Sequence, residues 1–306
     1  VRGGLRWRLG FSLTHPDFRR YIVHALPIML AFSIVGLDDR VWTWFGSALP
    51  EGSIATLQYA KRLAMVPIGV FGAAAGYAAY PTLARLADAG NLAEVWQTLL
   101  RATRVTLFLA LGSQVVLTVA GADVSTAVFG TARITPAAHR VVGDCLAWFS
   151  LGLAGWSAQT LFARGFYARG KTWVPTTLGF LVLLGSLPIY WAGGFLYGAA
   201  GLALASSTGV TLYVVLLGFL LKRDIGDGPG LGDFLLRALP AVAVGVAVGM
   251  SLRPALGEPE WTRLDALLRT VVLGGAGGLA FVGAAWAFGI AEVREIVGMA
   301  LRRLRR

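Results

Sequence analysis

The sequence predicts an all-α fold, a polytopic transmembrane helix bundle of about eight spans. Three observations point there. Hydrophobic residues make up 56% of the 306-residue chain and charged residues 14%, against about 25% charged in soluble domains. Apolar runs of about twenty residues recur along the chain, the length a helix needs to cross the hydrocarbon core. Arg and Lys concentrate in every second connection between those runs, as the positive-inside rule requires of a chain that threads back and forth.

The predicted spans are 21–49, 54–83, 103–121, 138–163, 174–196, 198–221, 234–252 and 264–289. The first two are joined by Pro50, Glu51, Gly52 and Ser53, a turn short enough to force an antiparallel hairpin. After the second comes an amphipathic stretch, with Leu83, Leu86, Leu92, Val95, Trp96 and Leu99 at helical spacing. It is expected to lie along the cytoplasmic interface. The third span follows it. The fourth opens with Arg140 and Asp144 one turn apart, which predicts a local ion pair. Arg164, Arg169 and Lys171 separate the fourth from the fifth, and Lys222 and Arg223 close the sixth. Gly226 to Gly230 reads as a flexible linker before the last two spans.

Small-residue spacing at Gly72 and Gly76, at Gly245 and Gly249, and at Gly274 to Gly278 predicts close helix approach. Pro27, Pro67, Pro188 and Pro240 lie within or at the ends of spans and predict kinks. The Arg-rich tail from 291 to 306 is expected to form a basic cytoplasmic helix facing solvent or anionic lipid. The charge asymmetry places both termini in the cytoplasm, and an even number of spans agrees.

Composition also limits function. A net charge of +11 in a soluble protein would suggest nucleic acid. Here the arginines flank apolar runs, so orientation accounts for them and no nucleic-acid partner is expected. The basic N-terminal stretch, broken by Pro16 and Asp17, is not a secretory signal. The single Cys145 cannot form an intrachain disulfide. His15, His24 and His139 show no metal spacing. No P-loop, zinc-protease or nucleophile-elbow pattern is present, so neither enzyme activity nor a cofactor is expected.

The candidate site is a cluster of charges inside the first two spans: Asp38, Asp39, Arg40, Lys61 and Arg62. An ionisable group at bilayer depth costs about 2.5–3.5 kcal/mol on insertion scales, so five of them need a reason. Arg40 lies eleven residues before Glu51 and Arg62 eleven after it. At helical rise both are about 16 Å below the turn, near the middle of a core about 30 Å thick. Two readings remain open. The cluster neutralises itself and locks the hairpin, or it handles a charged substrate, with Arg62 free to meet it.

The stretch Leu49 to Gly72 reads LPEGSIATLQYAKRLAMVPIGVFG, and Tyr80 to Leu86 reads YPTLARL. Arg164 to Pro175 reads RGFYARGKTWVP, and Gly198 to Ser207 reads GAAGLALASS. These stretches resemble the MurJ/MviN family of lipid II flippases: its Gly-Ser turn, YAxRL element, PxGV segment, PTL end, FYAR loop and GLALA segment, in the same order. The family belongs to the MATE-like multidrug/oligosaccharidyl-lipid/polysaccharide exporter superfamily. The resemblance implies the carboxy-terminal lobe of a fourteen-helix transporter plus two extra helices. Residues 1–20 would be a basic linker, 21–222 a six-helix transport lobe, 223–290 two helices forming a groove for the lipid tail, and 291–306 the basic tail.

The resemblance further implies movement of lipid II, or a similar lipid-linked pyrophosphate, across the cytoplasmic (inner) membrane, within membrane lipid and alongside an amino-terminal lobe. Arg62 matches the YAxRL arginine, which the family turns toward a cationic cavity. With Lys61 and Arg40 it makes up the expected substrate contacts. Asp38 and Asp39 are the expected ion-pairing or coupling residues. Two departures stand out. The amino-terminal lobe has no counterpart here, and Asp38, Asp39, Arg40 and Lys61 make this hairpin more charged than the family pattern. Export of another lipid-linked oligosaccharide, or of a cationic drug through Asp38 and Asp39, remains an alternative, as does a non-transporting scaffold of cell-wall synthesis.

Overall fold

The computed structural model describes residues 16–130, 134–226 and 230–294. The expected linker residues up to 15 and the tail from 295 onward lie outside the described residues.

Helix α1 spans Pro16–Gly46 and α2 spans Ser53–Pro67. Between them Gly52 adopts φ 88°, a left-handed conformation that glycine enters without Cβ strain. The Ser53 amide donates to the Pro50 carbonyl at 3.1 Å and closes the turn. The second predicted span is broken. A π-helical segment, Ile68–Ala73, follows Pro67 and leads into α3, Ala74–Asp88. Proline lacks the N–H that an α-helix needs, so a register change at this position has a direct cause.

Helix α4, Leu92–Phe129, is longer than the predicted third span, because the amphipathic stretch supplies its first turns. Asn91 caps it, accepting from the Glu94 amide at 3.3 Å while its own amide donates to the Glu94 carboxylate at 2.7 Å. The expectation of an interfacial helix is corrected here. Leu83, Val95, Trp96 and Leu99 are buried in one core cluster with Phe166, Leu221 and Ile225. The apolar stripe that would have met lipid headgroups meets protein, because α3 and α4 form a tight helical hairpin.

Helices α5, Pro136–Ser150, and α6, Leu153–Tyr167, make up the fourth predicted span with a bend of 42° between them. Helix α7, Trp173–Ile225, covers the fifth and sixth. Straight, its 53 residues would reach about 80 Å. It instead folds back at Gly198, whose φ of 58° and ψ of −135° break the helix into two limbs. Gly193 and Gly201 face each other across that fold so closely that a Cβ on Gly201 would sit 1.9 Å from the Gly193 carbonyl oxygen. The last two predicted spans are α8, Gly232–Leu252, and the pair α9, Arg263–Arg269, and α10, Gly275–Ala287, joined by a π-helical segment.

Four helices are each long and apolar enough to cross a membrane, and two bent pairs bring the number to six, with α7 counted once. The chain is therefore a multi-pass membrane protein. Two cores hold it together. One joins α3, α4, α6 and the end of α7 to α8 and α10, with Phe108 stacked on Phe281 at 5.0 Å. The other joins α1, α2, α5 and α7 around Trp42, Leu57, Phe149 and Tyr190. The small-residue stripes act as predicted: Gly245 lies against Gly277, and Gly249 against Val119. The pair expected between Arg140 and Asp144 is replaced, since Arg140 reaches Glu258 at 3.8 Å, both groups being well exposed. The loop after α8 brings that carboxylate to the start of α5, a contact between residues far apart in sequence.

Candidate functional site

Asp38 and Asp39 are consecutive on α1 and diverge by about 100° around the helix, yet both reach one ammonium. Lys61 on α2 contacts Asp39 directly and lies 3.5 Å from Asp38 Oδ2. Each carboxylate is also held from its own side. Tyr190, on the first limb of α7, donates its hydroxyl to Asp38 Oδ1, and Ser206, on the second limb, donates to Asp38 Oδ2 at 3.1 Å. Trp42 donates its indole N–H to Asp39 at 3.1 Å. One residue of α1 thus ties together α2 and both limbs of α7.

This network forms one wall of a cavity of about 180 Å³ lined by Asp38, Lys61, Gln159, Tyr167, Ser206 and Tyr213, with apolar residues between them. Its lining residues come from α1, α2, α6 and α7. Lys61 faces it, with its side chain 14% exposed.

Arg62, the next residue along α2, turns the other way. It is exposed, on a face shared with Gln58 and Val66. Arg40 is also exposed, on the face of α1 that carries Gly36, Leu37 and Trp44. Among the described residues neither guanidinium has a carboxylate or hydrogen-bond partner. Of the three cations singled out from sequence, the structure therefore joins Lys61 to Asp38 and Asp39 and leaves Arg40 and Arg62 unpaired. Charged residues at bilayer depth face protein or water-filled space, because lipid exposure is too costly. Arg40 and Arg62 thus present two guanidiniums, a group suited to bidentate phosphate contact, on exposed faces of α1 and α2.

Sequence reasoning missed Tyr190, Ser206 and Trp42. Tyr190 was a hydroxyl-bearing ring in an apolar run, and Ser206 is the last residue but one of the GAAGLALASS stretch. Neither position says that its partner lies 152 or 168 residues away. Arg164 was read only as a loop charge. Its guanidinium stacks on Tyr77 at 4.2 Å, and its Nη1 is buried without an acceptor. His139 is a core histidine. Its Nε2 donates to the Gly130 carbonyl at 3.0 Å, and Nδ1 accepts from Ser125 at 2.8 Å. No group of three or more His, Cys, Asp and Glu able to hold a metal occurs among the described residues.

Comparison with known proteins gives a consistent result. The sequence profile of the family described as lipid II flippase MurJ matches residues 1–271. The chain is 34% identical over 170 residues to a probable lipid II flippase MurJ of Rhizobium meliloti (strain 1021), covering 55% of this chain and 32% of that one. It is 28% identical over 235 residues to the lipid II flippase MurJ of Burkholderia cenocepacia, covering 76% of this chain and 46% of that one. A solved structure of a lipid II flippase MurJ in an inward closed conformation superposes with a TM-score of 0.66 at 22% identity, over 89% of this chain and 55% of that one. The likeness to that structure is one of fold. The chain spans between about a third and a half of the length of these curated relatives.

Proposed function

We propose, for a chain that belongs to the lipid II flippase MurJ family, that it forms one lobe of a transporter moving an undecaprenyl-pyrophosphate-linked peptidoglycan precursor across the cytoplasmic membrane. The observation behind this reading is the unpaired exposure of Arg62 and Arg40 on α2 and α1, beside carboxylates that are already engaged. A pyrophosphate carries several negative charges, and a guanidinium matches its oxygens two at a time. Away from bulk water that attraction is stronger than in solution. The bilayer itself holds the polyprenyl tail, so only the head group needs a polar route. No bond of the substrate is made or broken.

In this reading residues 21–222 form the transport lobe, and a second lobe faces Arg40 and Arg62. Helices α8 to α10 guide the tail, and both termini lie in the cytoplasm. Export of a cationic drug fits less well, since Asp38 and Asp39 already share the Lys61 ammonium.

The test is complementation in cells depleted of their own lipid II flippase, with the chain supplied alongside an amino-terminal lobe. Growth and precursor flipping are expected to return. Arg62→Ala is expected to lower flipping by at least about tenfold, the loss typical of one desolvated charge contact, and Arg62→Lys to keep part of it. Full activity of Arg62→Ala and Arg40→Ala together would overturn the assignment.

A further inference from the structure

We infer that Lys61 is a positioning residue for anion binding: its ammonium occupies Asp38 and Asp39 and so keeps Arg62 and Arg40 available to the ligand. The inference rests on the reading of Arg62 as an anion contact and names what keeps that contact free.

The five charges of the hairpin are two carboxylates and three cations. A carboxylate at this depth must find a partner. If Lys61 were absent, the cations nearest in sequence would be Arg40, adjacent to Asp39, and Arg62, one residue along α2. Either guanidinium turning toward the carboxylates would withdraw it from the exposed face. Lys61 prevents this because the site suits an ammonium. It is a compact point charge that both carboxylates can approach, whereas a planar guanidinium favours one carboxylate side-on. The cage is preorganised as well. Tyr190 and Ser206 orient Asp38 from the two limbs of α7, and Trp42 orients Asp39. The ring of Trp42 lies 5.8 Å from the Lys61 nitrogen. The Lys61 side chain is 14% exposed and that of Asp39 48%, so the ammonium is the deeper partner, while Arg40 and Arg62 are exposed.

The experiment measures binding of farnesyl pyrophosphate, against farnesol as the uncharged control, to the purified chain in nanodiscs, with a melting curve for every variant. Lys61→Met is expected to weaken pyrophosphate binding about tenfold, the effect of about 1.4 kcal/mol of lost coupling, and to leave farnesol binding unchanged. The triple variant, Asp38→Asn, Asp39→Asn and Lys61→Met, is expected to recover most of that loss, because no carboxylate remains to capture an arginine. If the triple variant stays as weak as Lys61→Met, Lys61 touches the ligand itself and the inference is overturned. Unchanged binding in Lys61→Met overturns it too.

Should Lys61→Met fail to fold, its combination with Asp39→Asn decides, since it removes one charge of each sign and leaves Asp38 without its ammonium. Pyrophosphate binding is expected to weaken severalfold as an arginine turns to Asp38, and unchanged affinity would refute the role. Arg62→Ala and Arg40→Ala, run in parallel, separate the two levels. If neither alters binding, the anion-contact reading fails. If they weaken binding and Lys61→Met does not, only the positioning role fails.

Discussion

Asp38 has acceptors to spare and three donors around it, so the value of each donor can be tested singly. Tyr190 is fully buried, and its hydroxyl points to Asp38. Tyr190→Phe leaves the ring packed against Phe45 and removes only the donor. A lost hydrogen bond to a charged group costs about 1.5–3 kcal/mol, and the expected outcome is a lower melting temperature in detergent by that equivalent. Ser206→Ala removes the 3.1 Å contact and is expected to cost less, since an aliphatic hydroxyl is a weaker donor than a phenol. At this scale the sequence was informative about charges and silent about hydroxyls. Asp38, Asp39, Arg40, Lys61 and Arg62 stand out because each is expensive in an apolar run. Tyr190 and Ser206 cost little there and are recognisable only once the fold brings them to the carboxylate.

Helix boundaries show the same division between local and distant causes. The Gly52 turn and the break at Gly198 were readable, because each rests on residues adjacent in sequence. The burial of the 83–100 stripe was not, because an amphipathic helix looks alike whether lipid headgroups or another helix cover its apolar face. The α7 hairpin offers a test of how tightly its limbs must close. A Cβ at residue 201 would meet the Gly193 carbonyl oxygen at 1.9 Å and its carbon at 2.5 Å, both backbone atoms. Gly201→Ala must therefore push the limbs apart, at a cost of about 1–3 kcal/mol. Because Tyr190 and Ser206 lie on opposite limbs, the same change is expected to loosen the Asp38 cage. Gly278→Ala, where nothing lies within 4 Å of the added carbon, is the matched control and is expected to be neutral. Equal melting temperatures for the two variants would show that the limbs do not need this contact.

Across the whole molecule the question is what fastens α8 to α10 to the rest of the bundle. Arg269 falls near the start of the last predicted span, 264–289. The structure buries it: its Nε lies 3.4 Å from Asp123 of α4, with both side chains 6% exposed. Its two remaining nitrogens donate to the carbonyls of Leu256 and Gly257, at 3.1 and 2.9 Å. One side chain thus connects α9, α4 and the loop after α8. The partners are far apart in the chain, so no local pattern could have announced the pair. Removing one member of a buried pair strands the other and costs about 3–5 kcal/mol, whereas replacing both with apolar residues of similar size is often neutral. Asp123→Ala is accordingly expected to destabilise the chain strongly. Asp123→Leu combined with Arg269→Met is expected to recover much of the loss, less the two carbonyl contacts of the guanidinium. The Arg62 face lies on α2, in the other core, so pyrophosphate binding by the double variant should remain close to the parent. A double variant no more stable than Asp123→Ala would instead assign the fastening of α8 to α10 to the carbonyl contacts of Arg269 rather than to its ion pair.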